Sequence, residues 1–226
     1  EVIKKISHIR KRKKIPIIVG GTGLYFKALT DGLVKIPNIP FKERNKIRLI
    51  QKKLGQKKFY NALLKIDPLS KNKIDKNDVQ RSIRAYEIKN LTKKSIFEWF
   101  KKTKGIYSSN EFVKLYIDFS RQDLINRINL RVNKMFNEGA IEEVKRFNKL
   151  KVKKENSSQK VIGIKEITSF LDKHCSLDQA KVLIAIKTRQ YAKRQTTWAR
   201  GQMDSWEKIN PKNLTLVIKK FKKIAS

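Results

Sequence analysis

The chain has 226 residues, of which 55 are Lys or Arg and 20 are Asp or Glu, a formal net charge of +35 that points to a polyanionic partner, nucleic acid being the commonest. Lys, Ile and Asn are abundant throughout, so basic residues grouped on one face of an element count for more than the total. The single cysteine, Cys175, excludes an internal disulfide, no apolar run approaches the roughly 20 residues of a membrane span, and no signal-peptide core opens the chain, so a reducing, cytoplasmic setting with no membrane is expected.

Val2, Ile3, Ile6 and Ile9 follow helical spacing and lead into Ile15-Pro16-Ile17-Ile18, a short β-branched run expected to be a buried strand ending at Val19. The turn Gly20-Gly21-Thr22-Gly23 follows, and Leu24, Tyr25, Ala28 and Leu29 then recur at helical spacing. An α/β sheet that opens mid-helix, on Glu1 rather than Met, reads as a fragment whose beginning lies upstream.

From Pro37 to about Tyr107 four helical segments succeed one another with no strand signal between them. The first is expected to stop at Gly55 and the second at Pro68; the third is expected to be capped by Asn77 with Gln80 three residues on; the fourth is "SIFEWFKKTKG". Strand character returns with the alternation of "FVKLYIDF", Phe112 to Phe119. Ser120 with Asp123 then caps a helix striped by Leu124, Ile128, Val132 and Met135, which Gly139 interrupts before the stripe resumes at Ile141, Val144 and Phe147. A polar loop, the apolar "VIGIKEITSFL", a helix capped by Ser176 with Gln179 and running to about Arg200, and a basic terminal helix "LTLVIKKFKKIA" complete the chain.

Three places carry possible chemistry. A glycine turn bearing one hydroxyl between strand and helix can turn backbone N–H groups toward a bound anion, or can be a plain connection. In the last long helix Ile184, Tyr191 and Trp198 fall on one side as core, and Arg189, Lys193, Thr196 and Arg200 on the other. That cationic side fits either a phosphate backbone or a solvated surface. In "NDVQRSIRAYE", Gln80, Arg81 and Arg84 can share one face while Val79, Ile83 and Tyr86 bury the other; the alternative is an ordinary surface with an Arg–Glu pair. His8 and His174 have no metal or triad partner at a recognisable spacing, no GxSxG occurs, and Asp31, Asp118 and Asp123 stand isolated, so no general base is evident.

Taken in order, "VGGTGLYFKAL", "NDVQRSIRAYEI" and "AIKTRQYAKRQTTWARGQ" resemble the tRNA dimethylallyltransferase family, with "KVIGIKEITSFL" fitting between the last two; the resemblance runs from about Glu1 to Gln202. It implies an α/β fold, predominantly helical here: a P-loop-kinase-like core over 1–35 and 112–226, with an all-helical insertion over 36–111 that grips the anticodon stem-loop. It further implies a monomer that transfers the dimethylallyl group of dimethylallyl diphosphate to the N6 amine of the adenosine beside the anticodon, with Mg²⁺ and backbone amides holding the diphosphate. By position, Gly20, Gly21, Thr22 and Gly23 would bind that substrate, Thr22 lying near the reacting centre. Arg44, Gln80, Arg81, Arg84, Lys160, Lys165, Lys193, Arg194, Gln195 and Arg200 would meet tRNA. At Lys160 and Lys165 the family usually has arginines, and Lys keeps the charge without the bidentate fork. The family's P-loop and general-base aspartate lie upstream of the turn, so this chain by itself is expected to be inactive. Two other classes compete: a non-catalytic RNA-binding module explains the basic faces but not the glycine turn, and a P-loop small-molecule kinase explains the turn but not the faces.

Overall fold

The computed structural model describes residues 1–108, 111–153, 156–212, 215, 218, 219, 221 and 222; the expected terminal basic helix falls largely outside them. The chain folds as two compact units, Glu1–Gly23 with Val113–Ser226, and Leu24–Phe112. Most described residues are helical, and the strands among them form a two-stranded parallel sheet.

In the first unit, α1 (Val2–Lys11) buries Ile6. Residues 14–20 have no regular secondary structure and are unpaired, which corrects the expected buried strand: Ile17 is 70% and Val19 89% exposed. β-branched residues favour extended backbone, but a strand is completed by a hydrogen-bonded neighbour, and none lies beside this segment among the described residues. Pairing occurs instead between β1 (Leu115–Ile117) and β2 (Glu207–Ile209), in the register Leu115 to Glu207, Tyr116 to Lys208 and Ile117 to Ile209. β1 is thus three residues long rather than the eight of Phe112 to Phe119, because the ladder ends where Asp118 N–H donates to the Ile209 carbonyl. β2 carries no alternation of its own and had no sequence signal.

Four helices build this unit's core. α6 (Arg121–Asn137) opens at Ser120, whose hydroxyl accepts from Asp123 N–H, and Gly139 separates it from α7 (Ala140–Lys149). α8 (Ile164–Leu171) and α9 (Leu177–Gln202) follow, the latter opened by a reciprocal Ser176–Gln179 capping box. Ile128 and Val132 of α6, Ala140 and Val144 of α7, Ile167 of α8, and Ile184 and Ala185 of α9 form one buried cluster. The stripes read from the sequence therefore face one another.

Apart from its first residue, α2 (Gly23–Thr30) lies in the second unit and precedes α3 (Phe41–Ile66), which breaks at Gly55 with φ 71° and ψ 163°, a conformation a Cβ would strain. The expected stop is there, although the chain resumes helix at once. α4 (Val79–Thr92) is capped by Asp78, whose carboxylate accepts from Arg81 N–H at 2.9 Å. The expected cap at Asn77 is one residue too early: Asn77 N–H is itself held by Asp75 Oδ1 at 2.7 Å, in an Asx-type turn. α5 (Ile96–Lys101) opens with a Ser95–Glu98 capping box. Phe59, Leu63, Ala85 and Ile88 are fully buried in this unit. The buried Asp67 carboxylate accepts from both Ser70 (3.0 Å) and Ser95 (2.9 Å), fastening the turn after α3 to the start of α5.

Candidate functional site

In the first unit the glycine turn lies against α9. Gln195 Nε2 donates to the Gly21 carbonyl at 2.8 Å, and a Cβ added at Gly21 would overlap that amide. A Cβ at Gly23 would overlap the Trp198 indole. At Gly23 the rigid indole leaves room for glycine and no larger residue, whereas at Gly21 a Cβ would push the flexible Gln195 amide aside and break its hydrogen bond. Thr22 sits between them, exposed, just before α2 begins at Gly23.

Gln195 and Trp198 are roughly 60° apart around α9, on the side that carries Ile184 and the core. Arg189, Lys193, Thr196 and Arg200 fall on the other half of the circumference, with Lys193 and Arg200 exposed. Tyr191, expected in the core, is 44% exposed, and the Arg194 guanidinium stands 5.7 Å from its ring centroid. The side of α9 that packs inward continues past Tyr191 to Ala192 and the buried Ala199, so Tyr191 lies at its margin, where an amphipathic ring with a cation over its face is stable beside water.

Lys160 closes a short 3₁₀ turn (Ser157–Lys160) and Lys165 stands in the first turn of α8; both are exposed. Between them the Gly163 N–H donates to Glu166 Oε2 at 2.9 Å, while Lys187 of α9 donates to Glu166 Oε1. Burial by itself raises the Glu166 carboxyl, but these two donors outweigh it and hold the group below the ordinary glutamate value. The segment carrying Lys160 and Lys165 is in this way fastened to α9. Nothing local in the sequence announces the pairing, because its members are on different helices.

In the second unit α3 supplies Arg44 and α4 supplies Gln80, Arg81 and Arg84. Gln80 and Arg81 are exposed, and Arg81 pairs with Asp78 at 2.9 Å. Arg84 and Arg44 converge on Glu87 Oε2 at 3.3 and 3.8 Å. The Glu87 side chain is 2% exposed while each arginine side chain keeps 40%. The Arg–Glu pair that could have been an ordinary surface feature is accordingly a buried carboxylate flanked by two half-exposed arginine side chains.

No group of three His, Cys, Asp or Glu side chains converges among the described residues, and His8 and His174 are exposed. A surface depression of about 630 Å³ lined by Phe136, Ile141, Phe170, Leu171 and Lys173 contains none of the residues expected from the sequence to meet substrate or tRNA. No helix of the described residues is long and apolar enough to cross a membrane.

The family model described as IPP transferase matches residues 1–202. The chain is 60% identical to the tRNA dimethylallyltransferase of Pelagibacter ubique, over 98% of this chain and 71% of that protein. It is 39% identical to that of Rickettsia massiliae, over 98% of this chain but only 62% of its relative, so it spans between about three fifths and seven tenths of the length of such proteins. Among solved structures, the full-length tRNA isopentenylpyrophosphate transferase of Bacillus halodurans is similar with a TM-score of 0.57 and 30% identity, covering 92% of this chain and 63% of that one. A eukaryotic dimethylallyltransferase described as acting on tRNA is similar with a TM-score of 0.68 and 29% identity, covering 88% of this chain and 50% of that one.

Proposed function

This chain belongs to the IPP transferase family, and we propose from that premise that it serves tRNA modification, moving a dimethylallyl group from dimethylallyl diphosphate to the N6 amine of the adenosine next to the anticodon. In that reaction the amine nitrogen bonds to the allylic carbon, the carbon–oxygen bond to diphosphate breaks, and the amine loses a proton. A protein promotes it by neutralising charge on the departing diphosphate and by fixing two substrates in line.

The observation that carries this reading in the chain itself is the seating of the glycine turn on α9. Gln195 on Gly21 joins the segment assigned to the diphosphate substrate with the basic segment assigned to RNA, within one unit. Gly20, Gly21, Thr22 and Gly23 would line the donor substrate, with the Thr22 hydroxyl toward the reacting centre. Lys160, Lys165, Lys193, Arg194, Gln195 and Arg200 of this unit, and Arg44, Gln80, Arg81 and Arg84 of the helical unit, would meet the stem-loop backbone. The surrounding fold is read as a P-loop-kinase-like core working as a cytoplasmic monomer. The Mg²⁺ implied for the diphosphate finds no set of converging carboxylates among the described residues, which do not make up its site.

Equilibrium binding of an anticodon stem-loop across a salt series tests the reading. A transferase that grips the backbone loses affinity linearly in log salt, by about 0.7–0.9 decades per decade of salt for each phosphate neutralised. Affinity that is absent, or indifferent to salt, overturns it and favours a small-molecule kinase.

A further inference from the structure

Between residues 24 and 112 the chain has four arginines, Arg44, Arg48, Arg81 and Arg84, among many lysines. Two of the four, from different helices, converge on one carboxylate oxygen of Glu87. Glu87 itself is 1% exposed, at the centre of α4 beside the buried Ile88. Its other oxygen, Oε1, and Arg44 Nε are buried with no hydrogen-bond partner among the described residues. A carboxylate placed for stability would have both oxygens hydrogen-bonded. This one leaves one oxygen unmet and offers the other to two cations, each of whose side chains keeps 40% of its surface exposed.

We propose that Glu87 is a positioning residue, its buried carboxylate orienting Arg44 and Arg84 so that their outward N–H groups form a paired fork for RNA phosphate oxygens. The inference rests on the tRNA-binding reading above. One carboxylate between two guanidiniums leaves a net positive charge, so an incoming phosphate completes the cluster rather than competing with it. Arginine suits the task because its planar donors meet two phosphate oxygens at once while another edge stays on Glu87; lysine offers no such division.

The sign of one substitution separates this role from bulk electrostatics. Glu87→Gln removes a negative charge, and on charge alone RNA binding should tighten. If Glu87 orients the arginines, the same variant weakens binding of an anticodon stem-loop by about tenfold, the equivalent of one charge-assisted hydrogen bond. Measured by fluorescence anisotropy on the full chain, Glu87→Asp should restore part of that loss. Placed in the Arg44→Ala/Arg84→Ala background, Glu87→Gln should have no further effect, because its partners are gone. Unchanged or tighter binding by Glu87→Gln, or a full additional loss in the double-arginine background, overturns the proposal. Should Glu87→Gln fail to fold by circular dichroism, Arg44→Lys and Arg84→Lys decide: charge is kept and the fork lost, so wild-type affinity in both overturns the proposal and a severalfold loss supports it. A wild-type chain without salt-dependent affinity fails the tRNA-binding reading itself, whereas salt-dependent wild-type binding with an indifferent Glu87→Gln fails the positioning role alone.

Discussion

The side-chain amide of Gln195 donates a 2.8 Å hydrogen bond to the carbonyl of Gly21, joining positions 174 residues apart. Together with the Trp198 ring against Gly23, this contact determines where the only hydroxyl of the turn, that of Thr22, is held.

A methyl group at Gly23 meets the Trp198 ring directly. Gly23→Ala is therefore expected to cost about 1–3 kcal/mol, in the range of overpacked sites. Trp198→Leu in the same chain should recover part of that loss, a non-additivity measurable in a double-mutant cycle by urea unfolding. Gln195→Ala should cost about 0.5–1.5 kcal/mol, the worth of the hydrogen bond alone.

The Asp67 clasp should be sensitive to loss of its acceptor. Asp67→Ala leaves the buried Ser70 and Ser95 hydroxyls without their shared carboxylate and is expected to destabilise the helical unit by about 1–3 kcal/mol. Replacing the exposed Leu69 by Ala, in the same turn, should stay within about 0.5 kcal/mol. Thermal melting followed by circular dichroism distinguishes the two.

Glu166 gives the first unit an acid limb. Its folded-state carboxyl is held below the ordinary glutamate value, so its ion pair contributes stability that is fully present above that ordinary value and is lost as pH falls through the lower folded one. Urea midpoints measured from pH 6 down to pH 3 should fall less steeply in Glu166→Gln, which has no proton to take up. A slope identical to wild type would show that the Lys187 pair is not coupled to folding.

On the exposed side of α9, Lys193→Ala and Arg200→Ala should each weaken stem-loop binding and reduce its log-salt slope by about 0.7–0.9. Neither should shift the unfolding midpoint appreciably, since both side chains are exposed.

Helices were legible in the sequence wherever a stripe and a cap coincided. Ser120, Ser176 and the break at Gly55 stand where expected, because capping and the positive-φ freedom of glycine are local. The misplaced cap at Asn77 shows the limit of that reasoning: Asn77 and Asp78 are both good caps, and the Asp75 turn decides between them. Ile15 to Val19 looked like a strand because side-chain type reports a preference for extension, while pairing depends on a distant partner. For the same reason β2 and the Glu166–Lys187 pair were invisible. The glycines were legible as special, but the cause, Gln195 and Trp198 pressing on the turn, lies across the fold.

The two-unit division has a consequence for synthesis. Leu24–Phe112 is one unbroken stretch, whereas Glu1–Gly23 shares its unit with residues made after it. Emerging from a ribosome, the helical stretch can condense as soon as Phe112 is clear. Gly21 must wait for Gln195, a delay on the order of ten seconds at ordinary elongation rates. During that interval the turn lacks its seat on α9, whereas the apolar run Ile15–Val19, still largely exposed in the folded unit, gains little cover when Gln195 arrives.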